Sequence, residues 1–185
     1  MKIATGLPST ARGYTAVELL TTLGVAAIVT ALAVPNLQQF MQNNRAAADT
    51  NALIGALNIA RNEAVTRGTP VSVCASEDGA TCSGGDAWSA GWIVFTDAVP
   101  PTGEVNDAAE PDTVLRAFPA LTGGSALAGD AAFIGYRPNG FLSNAAAPTF
   151  DLTVDHCTGD NNRRITVNLQ GRAGVTHESC TDADE

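Results

Sequence analysis

Residues 12–36 of the chain read RGYTAVELLTTLGVAAIVTALAVPN, with one acidic residue, Glu18, near the start of an otherwise uncharged apolar run. Residues 14–34 make a run of 21 residues, which at about 1.5 Å per residue just spans a hydrocarbon core of about 30 Å. Lys2 and Arg12 precede the run, and basic residues stay on the cytoplasmic side of a first membrane helix. The sequence therefore predicts one transmembrane helix with a cytoplasmic N-terminus and a periplasmic C-terminal domain.

The chain is large enough for one long helix and one compact domain of ordinary size. It has 185 residues and a formal net charge of −9, with 10 basic residues against 19 acidic ones. This balance argues against broad binding to a phosphate backbone. Glycine is abundant, aromatic residues are few, and threonine, valine and alanine recur in short runs, a composition typical of a domain with short strands.

The residues after the apolar run change from helical to strand-like periodicity. Apolar residues recur at intervals of three and four up to about residue 67, and Gly68 and Pro70 then end the pattern. We expect residues 35–67 to form an amphipathic stem that packs on a β-rich domain of residues 68–185. The apolar stripe includes Leu37, Phe40, Met41, Leu53, Ile54, Leu57, Ala60 and Ala64. Strands are expected at residues 71–75, 91–96, 114–118, 132–137, 150–154 and 164–169.

The four cysteines all lie outside the apolar run, and an even count in an exported chain favours disulfide bonds. Of the three connectivities, we predict the most local, which joins Cys74 to Cys82 and Cys157 to Cys180. The chain-entropy estimate is roughly 2.5–3.5 kcal/mol for each bond. Zinc is the alternative, since His156 and His177 lie near the second pair. Neither spacing is the C-x-x-C type, so no metal and no cofactor are expected.

The start of the chain resembles the class III signal of type IV prepilins and type II secretion pseudopilins. The resemblance rests on Gly13 before Tyr14, then Glu18 with Leu19-Leu20, and later Pro35. It implies that a prepilin peptidase cleaves between Gly13 and Tyr14, so that residues 1–13 are a leader and Tyr14 becomes the N-methylated first residue. The apolar helix would then remain on the mature protein.

Glu18 acquires a role from this processing. A carboxylate inside a bilayer costs about 2.5–3.5 kcal/mol on insertion scales, so it is kept only with a partner or a function. Cleavage would create a new amine on Tyr14, one helical turn before Glu18, which can pair with a carboxylate of the same or a neighbouring subunit. In the family this pairing is thought to set subunit register. The alternative is a soluble apolar helix in which Glu18 is a first-turn acid.

Four further stretches resemble the GspH/FimT family of pseudopilins and minor type IV pilins. They are ALNIARNEAVTRGTPVSVCAS at 56–76, WSAGWIVFTD at 88–97, YRPNGF at 136–141 and RRITVNLQGRAGV at 163–175. The resemblance implies an α+β, pilin-like fold in which a long N-terminal helix packs on an antiparallel sheet or sandwich. The first cysteine pair is more similar to FimT/FimU-type minor pilins than to secretion pseudopilins.

The resemblance also implies a function and partners. The expected function is a minor pilin anchored in the inner membrane that helps to initiate or cap a type IV pilus and contacts other pilins through its N-terminal helix. The alternative is a pseudopilin of a type II secretion system. Catalysis is not expected, because the chain shows no nucleophile motif and no phosphate loop.

A second alternative is a DNA-binding minor pilin. Some FimT relatives use a C-terminal Gly-Arg-x-Arg motif, and here residues 171–174 read GRAG, so that only Arg172 matches an arginine of that motif. Arg163 and Arg164 on the adjoining strand could complete a basic patch with Arg172. DNA binding depends on these three side chains lying together.

Overall fold

The computed structural model describes residues 13–97, 103–105, 112–155, 157 and 159–180, apart from the side chains of residues 35 and 36. Two compact units divide the chain, Met1–Gln38 and Gln39–Glu185. One helix and eight strands follow in order: α1 Ala16–Arg67, β1 Val71–Ala75, β2 Trp92–Thr96, β3 Val114–Phe118, β4 Ser125–Gly129, β5 Phe133–Tyr136, β6 Thr149–Val154, β7 Asn162–Val167 and β8 Ala173–Glu178.

The helix α1 has 52 residues and defined signals at both ends. At its start, the Thr15 hydroxyl accepts a hydrogen bond of 3.2 Å from the backbone N–H of Glu18, which is the usual arrangement of an N-cap. At its end, the Gly68 N–H donates to the Ala64 carbonyl, and Gly68 has a φ of +69°. A left-handed glycine of this kind stops a helix because it turns the chain away from the axis.

The first part of α1 is apolar and exposed. Its most apolar window has a mean hydropathy of 2.1 and is 0 % buried, and α1 is the one helix in the described residues that is long and apolar enough to cross a membrane. The hydroxyls of Thr21, Thr22 and Thr30 donate to backbone carbonyls three or four residues earlier. These polar groups are therefore satisfied inside the helix, as a hydrocarbon environment requires.

The later part of α1 supplies one face of the hydrophobic core. The helix residues that are buried there recur at helical spacing: Ala46, Leu53, Ala56, Leu57, Ala60 and Ala64. The predicted stripe is wrong at its N-terminal end, because Leu37, Phe40 and Met41 are each more than half exposed. The first fully buried residue on this face is Ala46, so burial begins about two and a half turns after Leu37, where the sequence pattern starts.

The strands form two antiparallel sheets of four strands each. The first sheet has the order β3-β2-β1-β5 and the second the order β4-β6-β7-β8. A single cluster of buried residues contains the α1 stripe together with side chains from both sheets. Trp88 lies fully buried in this cluster, its ring meets that of Phe150 edge-on at 4.9 Å, and its Nε1 donates to the Ala131 carbonyl.

The second sheet contains two strands that the sequence did not predict. The six predicted strands correspond to β1, β2, β3, β5, β6 and β7, with ends that differ by up to two residues. The strands β4 and β8 were missed. Each is an edge strand of the second sheet, so the missed strands complete that sheet rather than disturb its order.

Two disulfide bonds close loops of different size. Cys74 is joined to Cys82 and Cys157 to Cys180, with Cα–Cα distances of 5.6 and 5.5 Å. Inside the smaller loop, Asp78 accepts hydrogen bonds from the backbone N–H groups of Thr81 and Ala80 and from side-chain hydroxyls. These hydrogen bonds hold the pKa of the Asp78 carboxyl well below its usual range, and the bond from the Thr81 backbone has the largest effect.

Removal of the two disulfide bonds should cost different amounts of stability. The sequence separations are 8 and 23 residues, for which the chain-entropy relation gives about 2.5 and 3.4 kcal/mol. We expect the double variant Cys157→Ser/Cys180→Ser to lose more free energy of unfolding than Cys74→Ser/Cys82→Ser. Denaturant unfolding of the full chain in detergent measures both. If the two variants lost equal free energy of unfolding, or if Cys74→Ser/Cys82→Ser lost more, the result would contradict a loop-entropy origin of the stabilisation.

Candidate functional site

The segment before α1 presents an accessible peptide bond. Gly13 and Tyr14 precede the helix, which begins at Ala16, and neither belongs to a helix or a strand. Tyr14 is 86 % exposed, and a Cβ placed on Gly13 would meet no atom within 4 Å. The bond between these two residues therefore lies outside the helix, whose backbone hydrogen bonding begins with the Leu19 N–H and the Thr15 carbonyl.

Glu18 lies in the first turn of α1, four residues after Tyr14. Its side chain is exposed, and its carboxylate has no hydrogen-bond or ion-pair partner among the described residues. The backbone N–H of Glu18 is held by the Thr15 hydroxyl. The stretch Thr15-Ala16-Val17-Glu18 has the T-x-x-E pattern of a capping box, a signal that identifies Thr15 and that the sequence analysis did not use. The capped first turn leaves the carboxylate open to an external partner.

Arg163 lies inside the domain and not on its surface. It is 4 % exposed, and its guanidinium donates to the carbonyls of Asp160 and Asn162 and to Asn43 Oδ1 on α1. Burial lowers the pKa of Arg163, and the charge of Asp160 opposes that effect. The side chain thus connects β7 to the stem helix and is unavailable to a ligand in solution.

Arg164 points to the opposite side of β7 and is already paired. Its Nε lies 2.7 Å from Asp151 Oδ1 and its Nη1 lies 3.0 Å from Glu178 Oε1. The hydrogen bond that Arg164 donates to the Asp151 carboxylate raises the pKa of Arg164 most, and the charges of Asp151 and Glu178 add to that effect. Its positive charge is therefore balanced within the second sheet.

Arg172 lies on the surface in the turn between β7 and β8, where its backbone N–H donates to Asn168 Oδ1 at 3.0 Å. The prediction that Arg163, Arg164 and Arg172 form one basic patch is wrong, because Arg163 is buried and Arg164 is neutralised by two carboxylates. The alternation of β7 separates neighbouring side chains onto opposite faces. Of the three, Arg172 alone remains an exposed cation without a carboxylate partner among the described residues.

The residues considered for metal binding give no assembled site in the described part of the chain. His177 lies on β8 opposite Arg163, whereas His156 lies outside the described residues. All four cysteines are in disulfide bonds, so their sulfurs are not free to bind zinc. Across the described ranges, no group of three or more histidine, cysteine or acidic side chains is placed to hold a metal ion.

Three solved structures are similar to this chain. The type IV minor pilin FimU of Pseudomonas aeruginosa in space group P21 is 20 % identical, with a TM-score of 0.54 over 74 % of this chain and 92 % of that chain. FimU in space group P65 is 24 % identical, with a TM-score of 0.48 over 71 % and 90 % of the two chains. The minor pseudopilin EpsH of Vibrio cholerae is 15 % identical, with a TM-score of 0.46 over 72 % and 97 %. The first of these matches confirms the expected pilin-like α+β fold.

A family model identifies the chain from its sequence. The model described as type II transport protein GspH matches residues 49–171, which is more than half of the chain. The match begins in the stem and ends at the turn between β7 and β8. No curated protein matches the sequence significantly. The extent of the family match is sufficient to conclude that this chain belongs to the GspH family.

Proposed function

We propose that the chain is a membrane-anchored minor pilin that helps to initiate or cap assembly of a type IV pilus. The observation that carries the proposal is the carboxylate of Glu18, which has no partner among the described residues and lies on an exposed apolar helix, one turn after the bond between Gly13 and Tyr14. A charge at that depth is costly unless a partner is supplied. Membership of the GspH family and the pilin-like fold support the same role.

The proposed processing would supply that partner. Hydrolysis between Gly13 and Tyr14 by a prepilin peptidase places a cationic amine on Tyr14, and methylation of that amine keeps its charge. Glu18 of the same or a neighbouring subunit can then accept a hydrogen bond from this amine in a low-dielectric environment, where a charge-assisted bond is strong. The pair would fix the register between adjacent helices, so each subunit becomes competent to assemble only after processing.

The proposed location follows from the same helix. Residues 14–34 would cross the inner membrane once, with residues 1–13 in the cytoplasm and the domain of residues 68–185 in the periplasm. Two disulfide bonds are suited to an oxidising compartment. The partners are other pilins or pseudopilins through the N-terminal helix, the prepilin peptidase and the inner membrane. The proposed role is structural, with no catalytic residue and no cofactor.

A pseudopilin of a type II secretion system is the alternative, because the family model carries that description. The disulfide bond between Cys74 and Cys82 supports the pilus assignment through its similarity to FimT/FimU-type pilins. DNA binding has less support, since Arg163 is buried and Arg164 is paired with carboxylates. A gel shift with DNA at low salt, with the full chain in detergent and with or without Arg172→Ala, tests whether Arg172, the remaining exposed cation of the three, binds DNA.

Deletion of the gene, followed by assays of twitching, DNA uptake and exoprotein secretion, tests the proposed function. We expect loss of twitching with normal secretion, and restoration of twitching by the wild-type chain. Mass spectrometry of the membrane-extracted protein should find methylated Tyr14 at the N-terminus. Loss of secretion alone would favour the pseudopilin, and an intact Met1 would contradict assembly of either kind.

A further inference from the structure

Two loops meet beside the end of α1 and form a groove. Both contain stretches that resemble the GspH/FimT family. The loop after β5 contains YRPNGF, and the turn between β7 and β8 contains LQGR. The Leu142 N–H donates to the Leu169 carbonyl at 3.1 Å, and Arg61 Nε on α1 donates to the Gly140 carbonyl at 3.0 Å. The groove has a volume of about 480 Å³ and is lined by Arg137, Asn139, Phe141, Leu142, Ser143, Asn144, Ala145 and Leu169.

We call this the Phe141 groove. Large apolar side chains are exposed to solvent in it and beside it. Phe141 and Leu169 are each 45 % exposed, and Val65 on α1, which lies beside Gly140, is 53 % exposed. In the described residues beyond the stem, large apolar side chains are otherwise mainly in the core. Phe141 and Leu169 both line the groove, and exposed apolar side chains grouped in this way mark interaction sites.

The charge in the Phe141 groove is of one sign. Among the described residues, Arg137 is the one charged residue that lines it and no acidic residue does, although acidic residues outnumber basic ones in the chain by 19 to 10. The Arg137 guanidinium has no carboxylate partner among the described residues, whereas Arg67 and Arg164 are both paired. Ser143 also lines the groove, and its Oγ is buried without a hydrogen-bond partner.

The groove is held by close backbone contacts. Gly171 has a φ of +77°, and a Cβ placed there would lie 2.5 Å from the Gly140 carbonyl oxygen and 3.0 Å from the ring of Tyr136. Arg61 contacts the same carbonyl from α1. Two loops and a helix thus fix the position of Phe141 and Leu169 before any partner arrives, and a preorganised surface loses little conformational entropy on binding.

We propose that the Phe141 groove docks an acidic segment with one apolar side chain on a neighbouring pilin-like subunit. Phe141, Leu169 and Val65 would receive the apolar side chain, and Arg137 would pair with a carboxylate beside it. The proposal rests on the proposed function, because it assumes that the chain lies among other subunits. A nucleic acid fits less well, since a phosphate backbone calls for several cations. Arg137 lines the groove, Arg61 beside it is bonded to the Gly140 carbonyl, and Arg172 in the adjoining turn is the one further exposed cation in these two loops, in a chain of net charge −9.

Site-specific photocrosslinking in cells tests the proposal with the full chain. With p-benzoylphenylalanine in place of Phe141, irradiation should join the chain to an acidic stretch of a pilin-like subunit, located by peptide sequencing of the adduct. Arg137→Glu should lower the adduct yield about tenfold, because it replaces attraction by repulsion in a partly desolvated pair. Arg116→Glu, at another exposed arginine without a carboxylate partner among the described residues, should leave the yield unchanged.

As a control for mere proximity within a filament, p-benzoylphenylalanine is placed instead at Val175, an exposed position on β8. If Arg137→Glu lowers protein abundance, Leu169→Ser provides a second variant that should also reduce the adduct. An adduct with a second copy of this chain, a lipid or a nucleic acid, or no adduct from a chain that carries methylated Tyr14, would overturn the groove proposal and leave the proposed function intact. An intact Met1 would overturn both.

Discussion

Glu18→Ala is expected to lower incorporation of the chain into filaments by at least about tenfold while membrane insertion is retained. The substitution removes a carboxylate whose transfer to a bilayer costs about 2.5–3.5 kcal/mol, so insertion becomes easier. It also removes the proposed partner of the Tyr14 amine, and loss of about 1.4 kcal/mol between subunits already means a tenfold change. Sheared filament fractions and membrane fractions, compared by immunoblot, measure the two quantities separately.

Three variants distinguish the charge pair from other roles of Glu18. Glu18→Gln keeps the size and hydrogen-bonding capacity of the side chain without its charge, so it should fail like Glu18→Ala. Thr15→Val removes the helix cap seen in the structure and should have a smaller effect, because a cap contributes about 1 kcal/mol to a helix. Glu63→Gln, which breaks an exposed pair with Arg67 on the same helix, should assemble normally. Normal assembly of Glu18→Gln would refute the proposed charge pair.

The helix could be predicted because its signals are local. The length of the apolar run, the position of Glu18 and the Gly13-Tyr14 step are all read within about 25 residues, and helix signals act over similar distances. Prediction from these local signals fails at Leu37, Phe40 and Met41. Their spacing matches the apolar stripe, but their side chains are exposed. Helical periodicity shows which residues share one face of a helix, and it does not show whether another element packs against that face.

The edge strands β4 and β8 were missed because their sequences carry little strand propensity. The residues of β4 are SALAG, of which Leu127 alone is a large apolar side chain, and it is 3 % exposed. The strand β8 has the sequence AGVTHE and is largely exposed. Pairing with a neighbouring strand, not alternation, defines both of them. Such long-range pairing cannot be read from five or six residues.

Arg163 was misplaced although a signal was available. In β7 the side chains of Arg163, Ile165 and Val167 are buried, and those of Arg164 and Thr166 are exposed. Period-two alternation from the two apolar residues already places Arg163 on the inner face. The partner that makes burial of the guanidinium tolerable, Asn43, is 120 residues away in the sequence. The sequence could therefore indicate the direction of Arg163 but not what it binds.

Gly91→Ala is expected to cost about 4 kcal/mol of stability. Gly91 has a φ of +115° and connects the short 3₁₀ turn of Trp88–Ala90 to β2. A Cβ there would lie 2.6 Å from the Phe118 carbonyl oxygen and 3.0 Å from that of Ser76. Backbone strain of about 1–3 kcal/mol adds to overpacking of about 1–3 kcal/mol, and both contacts are with backbone that cannot rotate away.

Gly55→Ala provides the matched control, since it makes the same chemical change within α1. A Cβ at Gly55 would meet no atom within 4 Å, and alanine favours an interior helical position over glycine by about 1 kcal/mol. The two substitutions should therefore change the free energy of unfolding in opposite directions when the full chain is unfolded by denaturant in detergent. A loss below about 1 kcal/mol for Gly91→Ala would show that the strand β3 can move away from β2, because the Phe118 carbonyl is the nearest contact.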